Sequence, residues 1–224
     1  MMNSTLLELR DNLEALIAGY GSVVIGFSAG VDSSVVVAAA HAALPNNALA
    51  ATAVTETITN DDLLLASDVA QRIGVPHQWL QYNELDIPNY AQNPTNRCYF
   101  CKDALYSRLR TLADEVGYNA VLDGSNADDA GDYRPGRQAA AQLGVKSPLL
   151  QLGVTKAEVR QLAELYGLPN HDKPSAPCLS SRVPYGTPIT REVLLQIARA
   201  ESAIRGLGFA ELRVRHHDSV ARIE

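Results

Sequence analysis

V-V-I-G-F-S-A-G-V-D-S-S, residues Val23 to Ser34, decides the fold. Val23, Val24, Ile25 and Phe27 form a short apolar run of the kind that fills a buried strand. Gly26 lies inside that run. The chain then breaks into Ser28-Ala29-Gly30-Val31-Asp32-Ser33-Ser34 and runs on into an apolar helix expected over Val35 to Leu44. A turn of small residues between a strand and a helix is a place for a phosphate group. The backbone can approach the anion closely, and the first free N–H groups of the helix point at it. Ser28, Ser33 and Ser34 add hydroxyls. No lysine follows the glycine, so this is not G-x-x-x-x-G-K-[ST]. It is not G-x-G-x-x-G either.

Outward from this stretch, strand and helix patterns alternate. Met1 to Leu16 reads as an amphipathic helix, Ala48 to Val54 as a second buried strand, and Asn60 to Ile73 as a helix that Asn60 or Asp61 can cap. His77 to Leu80 is a third strand, Glu84 to Asn93 a connection, Cys101 to Val116 a helix ended by Gly117, and Ala120 to Asp123 a fourth strand breaking at Gly124. This spacing means βαβ units and an α/β fold, a mainly parallel sheet with helices on both faces. Ligands of such sheets bind beyond the carboxyl ends of the strands. Both Ser28–Ser34 and Asp123–Asn126 lie at such ends. Thr155 to Tyr166 reads as a helix with a Thr155/Glu158 capping box. Asn170 to Tyr185 is proline-rich and irregular. Thr190 to Leu207 is a helix, Glu211 to Arg215 alternates like a strand, and Arg222 to Glu224 begins another. The expected division is a nucleotide domain over 1–170 and a small α+β appendage over 171–224 that looks shortened.

Composition narrows the class. A net charge of -6 argues against indiscriminate nucleic-acid binding. No stretch approaches a membrane span, and the start lacks the basic and apolar segments of a signal peptide. With three cysteines a disulfide framework is not expected, so the chain reads as cytoplasmic, its thiols reduced or metal-bound.

Several side-chain groups carry chemistry. Cys98-Tyr99-Phe100-Cys101 is a C-x-x-C at the start of a helix, and Cys178 lies in the irregular segment. Zinc on three cysteines with His171, His216 or His217 fits these residues. A [4Fe–4S] cluster with one open iron fits equally, and spacing does not choose between them. Asp123, Asp128 and Asp129 cluster after the fourth strand, where carboxylates could hold Mg²⁺ against ATP phosphates. Asp32 is better placed, inside the loop. Arg213 and Arg215 fall on one face of a strand, with Leu212 and Val214 on the other. Paired guanidinium groups suit a phosphate or carboxylate.

F-S-A-G-V-D-S-S resembles the S-G-G-x-D-S PP-loop of the ATP pyrophosphatases. Ala29 stands where glycine is usual, which is tolerated if that position needs no positive φ. With N-R-C-Y-F-C-K-D-A-L-Y, L-D-G-S-N-A-D-D, Y-R-P-G-R, K-P-S-A-P-C-L-S-S-R-V-P-Y-G and L-R-V-R-H-H-D-x-x-A-R-I-E in this order, the chain resembles the LarE family from about Leu13 to Glu224. The resemblance implies the adenine nucleotide alpha hydrolase-like fold and sulfur transfer in nickel-pincer nucleotide biosynthesis, for lactate racemase maturation. ATP would adenylate a carboxylate of a pyridinium biscarboxylate mononucleotide, and sulfur would then displace AMP.

Residue by residue, the resemblance implies ATP contacts from Gly26, Ser28, Ala29, Gly30, Asp32, Ser33, Ser34, Asp123 and Gly124. It implies a central sulfur role for Cys178, a [4Fe–4S] cluster on Cys98, Cys101 and Cys178, and a grip on the substrate phosphate from Ser180, Ser181, Arg182, Arg213 and Arg215. Asp128, Glu201 and Glu224 are candidate acids or metal ligands. A sulfur donor, sulfide or a desulfurase, and a homo-oligomer are expected partners. The competing readings are a tRNA thiolation enzyme, which the acidic balance disfavours, a non-catalytic nucleotide module with structural zinc, and an ammonia-using synthetase.

Overall fold

The computed structural model describes residues 4–131, 135–175, 177–209, 211–217 and 219–224. Tyr133 and Arg134 of the Y-R-P-G-R motif, Ala176 and Asp218 lie outside the described residues. Helix α1 (Ser4–Ala18) leads into strand β1 (Val23–Gly26), helix α2 (Val31–Ala43), strand β2 (Ala48–Val54), helix α3 (Asn60–Ile73) and strand β3 (His77–Gln81). A 3₁₀ turn at Glu84–Asp86 precedes α4 (Arg97–Val116) and β4 (Ala120–Leu122). Then come α5 (Pro135–Gln142), α6 (Pro148–Gln151), α7 (Lys156–Leu165), a 3₁₀ turn at Leu179–Arg182, α8 (Arg191–Arg205), and strands β5 (Val214–His217) and β6 (Val220–Ile223).

The main sheet has the order β3-β2-β1-β4 and every pairing in it is parallel. It is an α/β PP-loop fold. β1 is central, and its continuous apolar run reflects burial on both faces. Val23 and Ile25 pack with Leu13, Ile17, Val35 and Leu162, from α1, α2 and α7. Val24 faces the other way, onto Leu109, Ala113 and Ala139 of α4 and α5. Period-two alternation thus assigns each strand residue to one of two cores. A third core joins Tyr90, Leu179, Val183, Leu194 and Ile197, with Phe100 and Cys101 packed against it. The C-x-x-C end of α4 therefore meets the irregular segment and α8 in one apolar cluster.

Three local features differ from the sequence expectation. Helix α2 begins at Val31, not Val35, so Asp32, Ser33 and Ser34 form its first turn. The cap of α3 is Thr59, whose hydroxyl accepts from the Asp62 N–H; Asn60 and Asp61 are already helical. At the end of the chain β5 and β6 form an antiparallel hairpin, and Arg213 and Glu224 exchange backbone hydrogen bonds beyond it. The Thr155/Glu158 capping box is present in both arms. No helix among the described residues is long and apolar enough to cross a membrane.

Candidate active site

The Ser28–Ser34 loop closes on itself. Gly30, extended at φ −73°, ψ 154°, is the N-cap of α2. Its carbonyl accepts from the hydroxyls of Ser33 and Ser34, both at 3.0 Å, and its N–H donates to Ser28 Oγ at 3.3 Å. Ser28 Oγ and Ser33 Oγ lie 3.2 Å apart. The helix N-terminus that results offers backbone N–H groups and a partial positive charge to an anion. Ala29 is fully buried at φ 53°, so the position does need a positive φ and the alanine adopts it. Asn170, buried after α7, donates to the Ala29 carbonyl and to Ser34 Oγ, each at 2.9 Å.

Gly124 brings β4 against this turn. A Cβ on Gly124 would lie 2.7 Å from the Ser33 backbone nitrogen, so only glycine allows the approach. Gly26 serves packing instead, because a Cβ there would meet Leu109 Cδ1 at 3.2 Å. The loop carboxylate, Asp32, accepts from Asn126 Nδ2 at 2.9 Å and pairs with the Lys156 ammonium. Lys156 also donates its backbone N–H to Asp128 at 2.8 Å. Asp129 accepts from the Asn126 N–H, and Asp123 accepts from Tyr106 OH at 2.8 Å and from Ser125. These acidic residues order the loops at the sheet's carboxyl edge.

The cysteines form a second centre. Cys98 and Cys178 are exposed and Cys101 is half-buried; all three are free. Cys101 Sγ donates to Glu84 Oε1 at 3.0 Å. Glu84, a buried carboxylate, also accepts from Thr57 at 2.6 Å and from Tyr90 OH at 3.1 Å, and Tyr90 OH lies 2.7 Å from Ser180 Oγ. Glu84 thus ties the C-x-x-C helix to the turn that carries Cys178. Desolvation raises the Cys178 thiol above its ordinary value, Glu84 and Cys98 add to the rise, and Arg97 opposes it. Desolvation and Glu84 raise the Cys101 thiol as well, with Cys178 contributing. Among the described residues no three of His, Cys, Asp or Glu are grouped so as to hold a metal ion.

One helix connects the two centres. α4 carries Cys98 and Cys101 in its opening turns and Tyr106, the partner of Asp123, about 7.5 Å further along. Lys102 Nζ stands 5.4 Å from the Tyr106 ring centroid. Its ammonium is raised above the ordinary value by Tyr106, against desolvation, with Cys101, Asp123 and Cys178 adding.

The predicted phosphate grip is differently employed. Arg182 is 4% exposed and spends its guanidinium on Glu201 (2.9 and 3.3 Å), on the carbonyls of Pro177 and Cys178, and on Ser181 Oγ at 2.9 Å. It shapes the Cys178 turn. Ser180 is fully buried against Tyr90. Glu201, 1% exposed, also accepts from Arg205 at 2.9 Å and from the Val214 N–H at 3.0 Å. Burial pushes its carboxyl up, but these hydrogen bonds and the two arginines outweigh that and hold it below its ordinary value. Glu201, expected as an acid or metal ligand, has its oxygens engaged in this ion network. Glu224 is held low chiefly by the Arg215 hydrogen bond at 2.7 Å and pairs also with Arg222. It is likewise an ion-pair partner. Arg182, Ser181 and Arg215 all line an open pocket of about 280 Å³, together with Arg97, Tyr185 and His217. Arg213 precedes β5 and is not among the residues lining it.

Sequence reasoning missed Glu84, Arg97, Lys102, Lys156 and Asn170. A lysine directly after C-x-x-C was visible; the others depend on contacts far along the chain.

The Asparagine synthase family model matches residues 8–180. Over 222 residues the chain is 36% identical to the pyridinium-3,5-bisthiocarboxylic acid mononucleotide synthase of Lactiplantibacillus plantarum (strain ATCC BAA-793 / NCIMB 8826 / WCFS1), covering 99% of this chain and 80% of that one. The chain belongs to the LarE family of PP-loop enzymes. It is also 48% identical over 214 residues to uncharacterized protein slr1717 of Synechocystis sp., covering 96% of this chain and 80% of the relative. The NMN synthetase structure from Francisella tularensis superposes with a TM-score of 0.60 at 19% identity, over 78% of this chain and 76% of that one, and shares the fold. LarE membership makes the protein an ATP-using enzyme of the sulfurtransferase class.

Proposed function

We propose that this protein transfers sulfur to a carboxylate of a pyridinium-3,5-biscarboxylic acid mononucleotide at the expense of ATP. The carboxylate oxygen attacks the α phosphate, pyrophosphate leaves, and a sulfur nucleophile then displaces AMP to give a thiocarboxylate. Backbone N–H groups at the start of α2 stabilise the charge that grows on the departing pyrophosphate. Arg215 and Ser181 receive the phosphate of the mononucleotide in the 280 Å³ pocket. The observation that carries the reading is α4, which sets thiols at one end and, one and a half turns on, Tyr106, whose hydroxyl donates to Asp123 beside the Gly124 approach to the ATP loop.

Cys178 is the sulfur residue. Cys98, Cys101 and Cys178, three free thiols, are the residues that would hold a [4Fe–4S] cluster, although as they stand they are not grouped to hold a metal ion. When bound, such a cluster supplies an open iron at which an extra sulfide can sit. Cys101 must release its proton and leave Glu84 to become a ligand. A sulfide or desulfurase donor, a cytoplasmic location and Mg²⁺ with the ATP complete the proposal.

Anaerobic purification with iron, sulfide and zinc analysis, followed by a pyrophosphate-release assay, tests it. Iron and sulfide near four per chain and release dependent on the mononucleotide are expected. A colourless protein with one tight zinc sinks the cluster; release indifferent to the mononucleotide sinks the substrate.

A further inference from the structure

We propose that Asn170 is a positioning residue that locks the phosphate cradle by holding Ala29 in its left-handed conformation. The inference rests on the reading of the loop as an ATP cradle and assigns its control to a residue outside it.

Ala29 sits at φ 53° with a side chain, where L residues other than glycine are strained. Such strain persists at functional sites when the surroundings over-determine it. The surroundings here are identifiable. The Ala29 carbonyl can only accept, so the Asn170 atom 2.9 Å from it must be the amide nitrogen. That orientation directs the second amide hydrogen to Ser34 Oγ, also at 2.9 Å. Ser34 Oγ, having accepted, gives its own proton to the Gly30 carbonyl at 3.0 Å. One amide therefore fixes the peptide that follows the strained residue and, through Ser34, the helix N-cap. It does so at its own expense: Asn170 Oδ1 is buried without a hydrogen-bond partner among the described residues. An amide that leaves its acceptor unsatisfied to make two donations is oriented by the loop, not by its own needs. Ser34 is then a strut of the cradle, its hydroxyl already committed on both sides, and the phosphate is left to backbone N–H groups and the other serines. Asn170 lies at the start of the irregular segment that leads to Cys178, so the same residue anchors that segment on the ATP loop.

The test is ATP binding by calorimetry on the full chain, with thermal melting of each variant without nucleotide. Asn170→Ala is expected to weaken ATP binding by roughly tenfold, about 1.4 kcal/mol. Asn170→Asp keeps the volume but sets a carboxylate against the Ala29 carbonyl, and should lose at least as much. The decisive variant is Asn170→Ala/Ala29→Gly: glycine takes the left-handed turn without the lock, so affinity should return to within about threefold of wild type. A general packing role for Asn170 would not be rescued by removing a methyl group at residue 29. Equal ATP affinity in wild type and Asn170→Ala, or no recovery in the double variant, overturns the inference alone. Absence of ATP binding by wild type overturns the cradle reading, and the inference with it.

Discussion

The ATP loop and the Cys178 turn are both short irregular segments, yet they are built in opposite ways. The loop is stabilised mainly from within: its serine and glycine bonds span two to five residues. The Cys178 turn has its own backbone bonds but takes its shape from distant side chains. Arg182 ties it to Glu201, nineteen residues on, and Ser180 meets Tyr90, ninety residues back. Phosphate binding needs backbone donors in one fixed curve, which local sequence can encode. Sulfur delivery needs thiols from separate segments in one cleft, and only tertiary contacts can supply that.

The sharpest way to separate the two regions is Cys178→Ala. Thiocarboxylate formation, followed by mass spectrometry, should fall to nothing while mononucleotide-dependent pyrophosphate release persists. Loss of both activities together would mean that the regions are not functionally distinct. Next in size is Glu201→Ala, which leaves Arg182 buried and unpaired. A loss of about 3–5 kcal/mol in denaturant unfolding is expected. The network also has a pH signature. Glu201 titrates below its ordinary 4.5 in the fold. Its contribution is full above that value and is lost as pH falls through the lower folded one. Glu201→Gln should therefore flatten the acid limb of the stability profile; an unchanged limb would contradict the network.

This contrast explains what could be read from the sequence. The strand-turn-helix around Ser28, the four parallel strands and the Thr155 capping box follow from neighbours in sequence, and they are present. Ala29 was recognisable as a departure from glycine, but only the backbone shows that it accepts a positive φ. Glu201 looked like a spare acid because its partners Arg182 and Val214 lie on other elements. Asn170 and Lys156 were silent for the same reason: they meet Ala29 and Asp32 across separations of 141 and 124 residues. Arg182 matched a phosphate-binding pattern and does line the open pocket, but the bonds it makes to Glu201 and the cysteine turn could not be read from its neighbours in sequence.

Gly124 is, with Asn170, a place where the loop depends on something outside itself. Gly124→Ala puts a methyl group 2.7 Å from a backbone nitrogen that cannot rotate away. Either β4 or the start of α2 must shift, at a cost of about 1–3 kcal/mol. ATP affinity should fall along with thermal stability, whereas thiol accessibility at Cys178, read by alkylation rate, should stay near wild type. A changed alkylation rate would show that strain at the cradle reaches the sulfur turn.

The smallest effect is expected from Ala29→Gly in an otherwise unaltered chain. Relief of the left-handed alanine is worth about 1–2 kcal/mol. Glycine's extra freedom in the unfolded chain takes back about 0.5–1 kcal/mol. The net gain should therefore be about 0.5 kcal/mol, visible as a small rise in the denaturation midpoint with an unchanged m-value. Its smallness is informative, because Asn170 already holds the strained peptide and the cradle keeps one shape with either residue. A large gain in ATP affinity from this substitution alone would mean that the alanine loop is not preformed. The comparison would then reverse, with the cysteine turn as the rigid partner.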